Sequence, residues 1–114
     1  MLLVEVYYTC KPGTRDQVLE FAKVNVAATR QESGNLSYTQ YPSPDNDQDM
    51  FVFEKWESVE HFMSHSKTEH NKTFSALRRP HLEPGSYQIT IYNAEENVEL
   101  TEAVRAAVKA SAEK

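Results

Sequence analysis

The tightest constraint in this chain is a pair of short segments that carry apolar side chains on both faces of a β-type repeat. In 49–57 one face holds Met50, Val52, Glu54 and Trp56, and the other holds Phe51, Phe53, Lys55 and Glu57, because successive strand residues point to opposite sides. Residues 2–10 behave alike, with Leu2, Val4, Val6 and Tyr8 on one side and Leu3 and Tyr7 on the other. An antiparallel sheet with one wet face alternates more cleanly than this. Both faces of the sheet are therefore expected to be covered.

The remaining elements follow from changes of period. Residues 2–10 end at the turn signal "KPG", and "GTRDQVLEFAKVNVAATRQESG" then repeats as a helix. Thr14 and Gln17 form a candidate capping box, and Gly34 a candidate C-cap. Val18, Phe21, Ala22, Asn25, Val26 and Thr29 share one face of that helix. A strand over 36–41, the loop "PSPDNDQD" and the strand over 49–57 make a hairpin. Ser58 opens a helix that runs to about Arg79, where "RPHLEPG" stops it, and 86–93 is a last strand with Tyr87, Ile89 and Ile91 alternating. The alanine-rich tail is helix-prone, with Leu100, Val104, Ala107 and Val108 as a stripe.

The order β-α-β-β-α-β predicts an α+β fold, the ferredoxin-like plait: a four-stranded antiparallel sheet with both main helices on one face. Residues 1–95 are expected to form this domain and 96–114 a C-terminal helical extension. Two helices cover one face only. The simplest cover for the other is the sheet of a second copy in a two-fold homodimer; the bland alternative is a monomer with some exposed aromatic residues.

Composition narrows the partners. A net charge of −5 with scattered cations disfavours nucleic acid and acidic membrane surfaces. The single cysteine, Cys10, can form neither an internal disulfide nor a thiolate cage, which fits a reducing compartment. No apolar run reaches membrane-spanning length, and "MLLVEVYYT" lacks the basic start of a signal peptide, so a cytoplasmic protein is expected.

Three of the four histidines and the only tryptophan fall within "FVFEKWESVEHFMSHSKTEH", residues 51–70. Glu54 shares a strand face with Met50, Val52 and Trp56, where a carboxylate needs a partner or a proton. It could pair with a helix residue such as a histidine or arginine, or hold a structural ion pair or backbone hydrogen bond, and it reads as an orienting group more than as a reacting one. His65 and His70 lie about 140° apart on a continuous helix. A break at Ser66 or Thr68, both good caps, would let them point the same way. An imidazole titrates near neutral pH and can remove a phenolic proton; a lone helix histidine is equally well a solvated side chain. His61 and His65 have an i, i+4 spacing that suits a metal, but no further ligand stands at a recognisable distance in sequence, so no metal is expected. His61 is read as exposed.

Asn25 is a polar amide on an apolar stripe, so it either faces a substrate or oxygen, or bonds to a strand edge. Tyr38 and Tyr87 can add hydroxyls to a cavity or pack with their tips at the surface. Arg78 and Arg79 are expected at helix carbonyls and solvent. No phosphate cradle, dinucleotide fingerprint or Ser-His-Asp pattern is visible.

Taken together, "KPG", "TRQESGNLSY", "FVFEKWESVEHFMSHSKTEH" and the closing "YQITIY" resemble the antibiotic biosynthesis monooxygenase family over roughly residues 1–93. The most specific part is Glu54-x-Trp56-Glu57-Ser58 followed by His65 and Thr68-x-His70. Many members carry cysteine where this chain has Asn35. The resemblance implies a dimeric α/β barrel with a helical elbow between His65 and His70. It also implies a cofactor-independent monooxygenase that acts on a small quinol or dihydroxy-aromatic substrate with molecular oxygen as co-substrate. His65, His70 and Glu54 would be catalytic, and Trp56, Asn25, Tyr38 and Tyr87 would bind substrate. A small-metabolite isomerase and a non-catalytic ligand-binding dimer of the same fold are the alternatives. Haem degradation is disfavoured, because the first strand offers Glu5, Tyr7 and Thr9 in place of the expected asparagine and Phe74 stands near the expected histidine.

Overall fold

The computed structural model describes residues 1–113. Its elements are β1 (Leu2–Thr9), α1 (Arg15–Thr29), β2 (Asn35–Pro42), β3 (Asp49–Trp56), α2 (Val59–Ser66), α3 (Glu69–Arg78), β4 (Gln88–Asn93) and α4 (Val98–Ala112), with a 3₁₀ turn at Arg79–His81. The strands form one antiparallel sheet in the order β2-β3-β1-β4, the ferredoxin-like plait.

Register decides which side chains become core. Pairing of Leu2 with Trp56, Val4 with Glu54, Val6 with Val52 and Tyr8 with Met50 places all eight on the helix-covered face, and all eight are buried. From α1, Val18, Ala22, Asn25 and Thr29 complete that layer, and Phe74 of α3 closes it. A one-residue slip would expose the whole set, so the apolar pattern pins the register.

The helical segment after Ser58 carries the break that the caps allowed: Lys67 ends α2 and the Thr68 hydroxyl accepts the Asn71 N–H to begin α3. Two local expectations differ from the structure. Thr14 makes no capping box: its hydroxyl donates to the Lys11 carbonyl instead. Gly34 is not the cap of α1, which ends at Arg30. It turns the chain into β2 at φ +79°, and the His61 ring occupies the place a Cβ would take. Glycine is needed there for both reasons.

The far face of the sheet carries an aromatic row. Tyr7 and Phe51 stand 4.9 Å apart, and Tyr41 and Phe53 extend the row from Phe51 at 6.2 Å each. Tyr7 and Tyr41 are about half exposed. β4 pairs its backbone with β1 yet buries none of its six side chains, so Ile89 and Ile91 lie beyond the reach of the helices. In α4, capped by the Asn97 side chain, Leu100, Val104 and Val108 all stay more than half exposed. Among the described residues no helix is long and apolar enough to cross a membrane.

Candidate active site

The break between α2 and α3 turns His65 and His70 toward one point. His65 comes from the last turn of α2 and His70 from the first turn of α3, and both meet the carboxylate of Glu32 in the α1–β2 connection. His65 Nδ1 lies 2.7 Å and His70 Nε2 2.8 Å from the same oxygen, Glu32 Oε2. An ionised carboxylate oxygen only accepts, so both ring nitrogens facing it carry hydrogen, and each imidazole keeps its other nitrogen as the lone-pair site. The side chains of His65, Glu32 and His70 are 5%, 13% and 23% exposed, which grades the cluster from interior to surface. Thr68 Oγ1, which donates to the His65 carbonyl, also stands 3.2 Å from His70 Nε2 and steadies the elbow.

Behind His65 lies a wall of packed rings. The Trp56 indole is fully buried, 4.8 Å from the His65 ring, and Tyr38 is 5.7 Å from it on another side. Trp56 Nε1 donates to Glu54 Oε1 at 3.0 Å. The Glu54 carboxylate thus takes the indole as its hydrogen-bond partner, not a histidine or arginine. Asn25 resolves as a bridge inside the core: its amide donates to the Tyr38 hydroxyl, and its carbonyl oxygen accepts from Thr29. Tyr38 also receives a hydrogen bond from Gln40, whose own carbonyl accepts the Tyr8 hydroxyl.

Asn25 and His70 line an open cleft of about 470 Å³ between α1 and α3, with Phe21, Val24, Phe74 and Leu77 as its apolar walls. Trp56, Tyr38 and Glu54 stand behind this cleft and do not line it. Tyr87 lies apart, half exposed beside Arg78. A larger groove of about 580 Å³ runs past Tyr7, Tyr41 and Phe51 at the far end of the sheet, but no imidazole lines it. The chemistry singles out the smaller cleft.

Two residues escaped the sequence reading. Glu32 sits in "RQESG", where an acidic residue after a helix signals nothing by itself. Arg78 does not serve helix carbonyls: its guanidinium stacks over Tyr8, Phe74 and Tyr87 at 4.7–5.3 Å. Its buried Nε finds no hydrogen-bond partner among the described residues. His61 is half-buried, with Nδ1 2.7 Å from the Ser58 hydroxyl, and so is separated from His65 despite the i, i+4 spacing.

Burial above all, with the Glu32 charge adding to it, raises the Glu54 carboxyl from its ordinary 4.5 to about 7, against the opposing pull of Trp56 and Arg78. Folding therefore favours the protonated form. The associated stability, roughly 3 kcal/mol at most, is fully present below about pH 4.5 and lost as pH rises through about 7. Glu54→Gln keeps an acceptor for the indole and removes the charge. The variant should be more stable than the parent by about 1–3 kcal/mol above pH 7. Denaturant melts across pH should show the gap closing toward pH 4.5.

A ferredoxin-like plait whose helical elbow delivers two imidazoles to one carboxylate beside an apolar cleft defines the class: a small α+β protein. Residues 1–77 match the family model described as antibiotic biosynthesis monooxygenase, and the chain belongs to that family. It is 28% identical over 76 residues to the Bacillus subtilis (strain 168) protein named "Putative monooxygenase YcnE", a match that covers 67% of this chain and 80% of that protein. It superposes with a TM-score of 0.79 and 18% identity on the structure called "Putative antibiotic biosynthesis monooxygenase from Nitrosomonas europaea", over 84% of this chain and 91% of that one. Rv0793 from Mycobacterium tuberculosis superposes with a TM-score of 0.75 and 21% identity, over 84% of this chain and 96% of that one. The two structures share the fold, and family membership supports a general monooxygenase-like role.

Proposed function

We propose that the protein is a cofactor-independent monooxygenase that oxidises a small quinol or dihydroxy-aromatic substrate with molecular oxygen. The observation that carries this reading is the convergence of His65 Nδ1 and His70 Nε2 on one Glu32 oxygen at the edge of an apolar cleft. In this reading a flat ring of phenolic size lies between Phe21, Phe74 and Leu77, with its hydroxyl toward His70.

His70, the cluster's more exposed imidazole, takes the phenolic proton. Glu32 fixes its tautomer and stabilises the imidazolium that results. His65, buried behind, holds the carboxylate in place. The phenolate then passes one electron to dioxygen, and the semiquinone and superoxide combine to form a carbon–oxygen bond. The peroxide takes up the proton and loses water, leaving one oxygen atom on the product. The substrate supplies the electrons, and the apolar walls hold the ring beside the base. Trp56 and Tyr38 act through His65, and Glu54 through Trp56.

The protein is further read as a homodimer in which the aromatic row of Tyr7, Tyr41, Phe51 and Phe53 meets its counterpart, with residues 1–95 as the catalytic domain and 96–114 as an added helical segment. Incubation with a hydroquinone panel under ¹⁸O₂ tests the reaction. One labelled oxygen per product and no turnover under anaerobic conditions are expected. Product formed without oxygen would instead favour an isomerase working by the same proton transfer.

A further inference from the structure

We propose that Glu32, His65 and His70 form a binding site for a divalent transition-metal ion of the zinc class. One ligand atom from each, two imidazole nitrogens and a carboxylate oxygen, lies within 4.8 Å of the other two. The donor set is two borderline nitrogens and one hard oxygen, which suits zinc, cobalt or nickel and leaves positions open for water. It does not suit magnesium or calcium, which take oxygen ligands.

The geometry is close to what an ion needs. Three donors each about 2.1 Å from a metal stand about 3 Å apart or slightly more. The existing nitrogen–oxygen separations are 2.7 and 2.8 Å. Both N–H groups now point at one oxygen, so the carboxylate swings aside as the ion takes the place of the two N–H hydrogens. Those hydrogens move to the opposite ring nitrogens. The ligands come from three separate segments held by their own surroundings. The Trp56 and Tyr38 rings fix the plane of His65, and the Thr68 cap fixes the start of α3. The exposed edge of His70 gives the ion its entry from solvent. Among the described residues, the remaining histidines, His61 and His81, belong to no such group.

The site uses the Glu32 and His70 atoms that the oxygenase reading also needs, so a bound ion competes with that role, and its test needs no substrate. Chelator-treated full-length protein is titrated with Zn²⁺ by calorimetry and with Co²⁺ by visible absorption. One ion per chain is expected, with Co²⁺ bands typical of mixed nitrogen and oxygen coordination. In ¹⁵N spectra of the parent, the side-chain resonances of His65 and His70 should shift on adding Zn²⁺ while those of His61 and His81 stay in place. Glu32→Gln should weaken binding more than tenfold, and the His65→Ala/His70→Ala double variant should remove it, whereas His81→Ala should leave it unchanged. Absence of stoichiometric binding to the parent, or shifts confined to His61 and His81, overturns the proposal even if a variant fails to fold.

Discussion

Replacing His70 with alanine should lower kcat/KM for oxygen uptake with a hydroquinone by roughly 10²–10⁴, the span of a lost general base. His70 is the one imidazole among the residues that line the cleft, so the proposed base is lost with it. His65→Ala should cost less, about tenfold, because Glu32 keeps its bond to His70 and loses only its anchor. Glu32→Gln keeps the shape and removes the charge that steadies an imidazolium. Its loss should approach that of His70→Ala, with a small change in melting temperature. His70 is partly exposed and its removal leaves no large void, so the folded fraction should stay high. Oxygen-electrode rates beside circular-dichroism melts separate the two effects. Full activity in His70→Ala would remove the proposed base and with it the proton-transfer scheme.

Trp56→Ala should be the most damaging single substitution for stability, at about 3–5 kcal/mol. The indole is fully buried, packs on the His65 and Phe62 rings and supplies the hydrogen bond that Glu54 accepts. Its loss leaves a cavity and strips a buried carboxylate of its donor, which pushes that group further toward its protonated form. Set against a total stability of roughly 5–15 kcal/mol for a domain, the change should drop Tm by about 10–20 °C. Trp56→Phe separates the contributions, since it keeps a ring and loses the N–H. It should fall between parent and alanine, whereas a phenylalanine variant as unstable as the alanine one would place most of the effect in the hydrogen bond. Thermal melts monitored by circular dichroism report both.

The fold was legible because its signals are local and repeated. The two-residue period of β1 and β3 set both faces, the 3.6-residue period of α1 placed Asn25 and Thr29 inward, and Thr68 marked the break that aligns His65 with His70. What stayed hidden depends on distance along the chain. Glu32 meets His65 and His70 across 33 and 38 residues, and no period or spacing encodes a bond between a loop carboxylate and a helix elbow. Arg78 looked like an ordinary helix-end cation, because only the tertiary fold brings Tyr8 and Tyr87 beneath it. Glu54 read correctly as a carboxylate under constraint. Its partner is the tryptophan two residues along the same strand, a donor that no charge pattern in the sequence announces.

β4 gives its backbone to the sheet and none of its side chains to the protomer's interior. Substitutions at Ile89, Ile91 or Tyr92, each nearly half exposed, therefore weigh less on the protomer's packing than those at Val4 or Trp56. If these positions prove resistant to change across related chains, that resistance measures demands from outside the protomer, and this strand is where evolutionary drift and external restraint can be told apart.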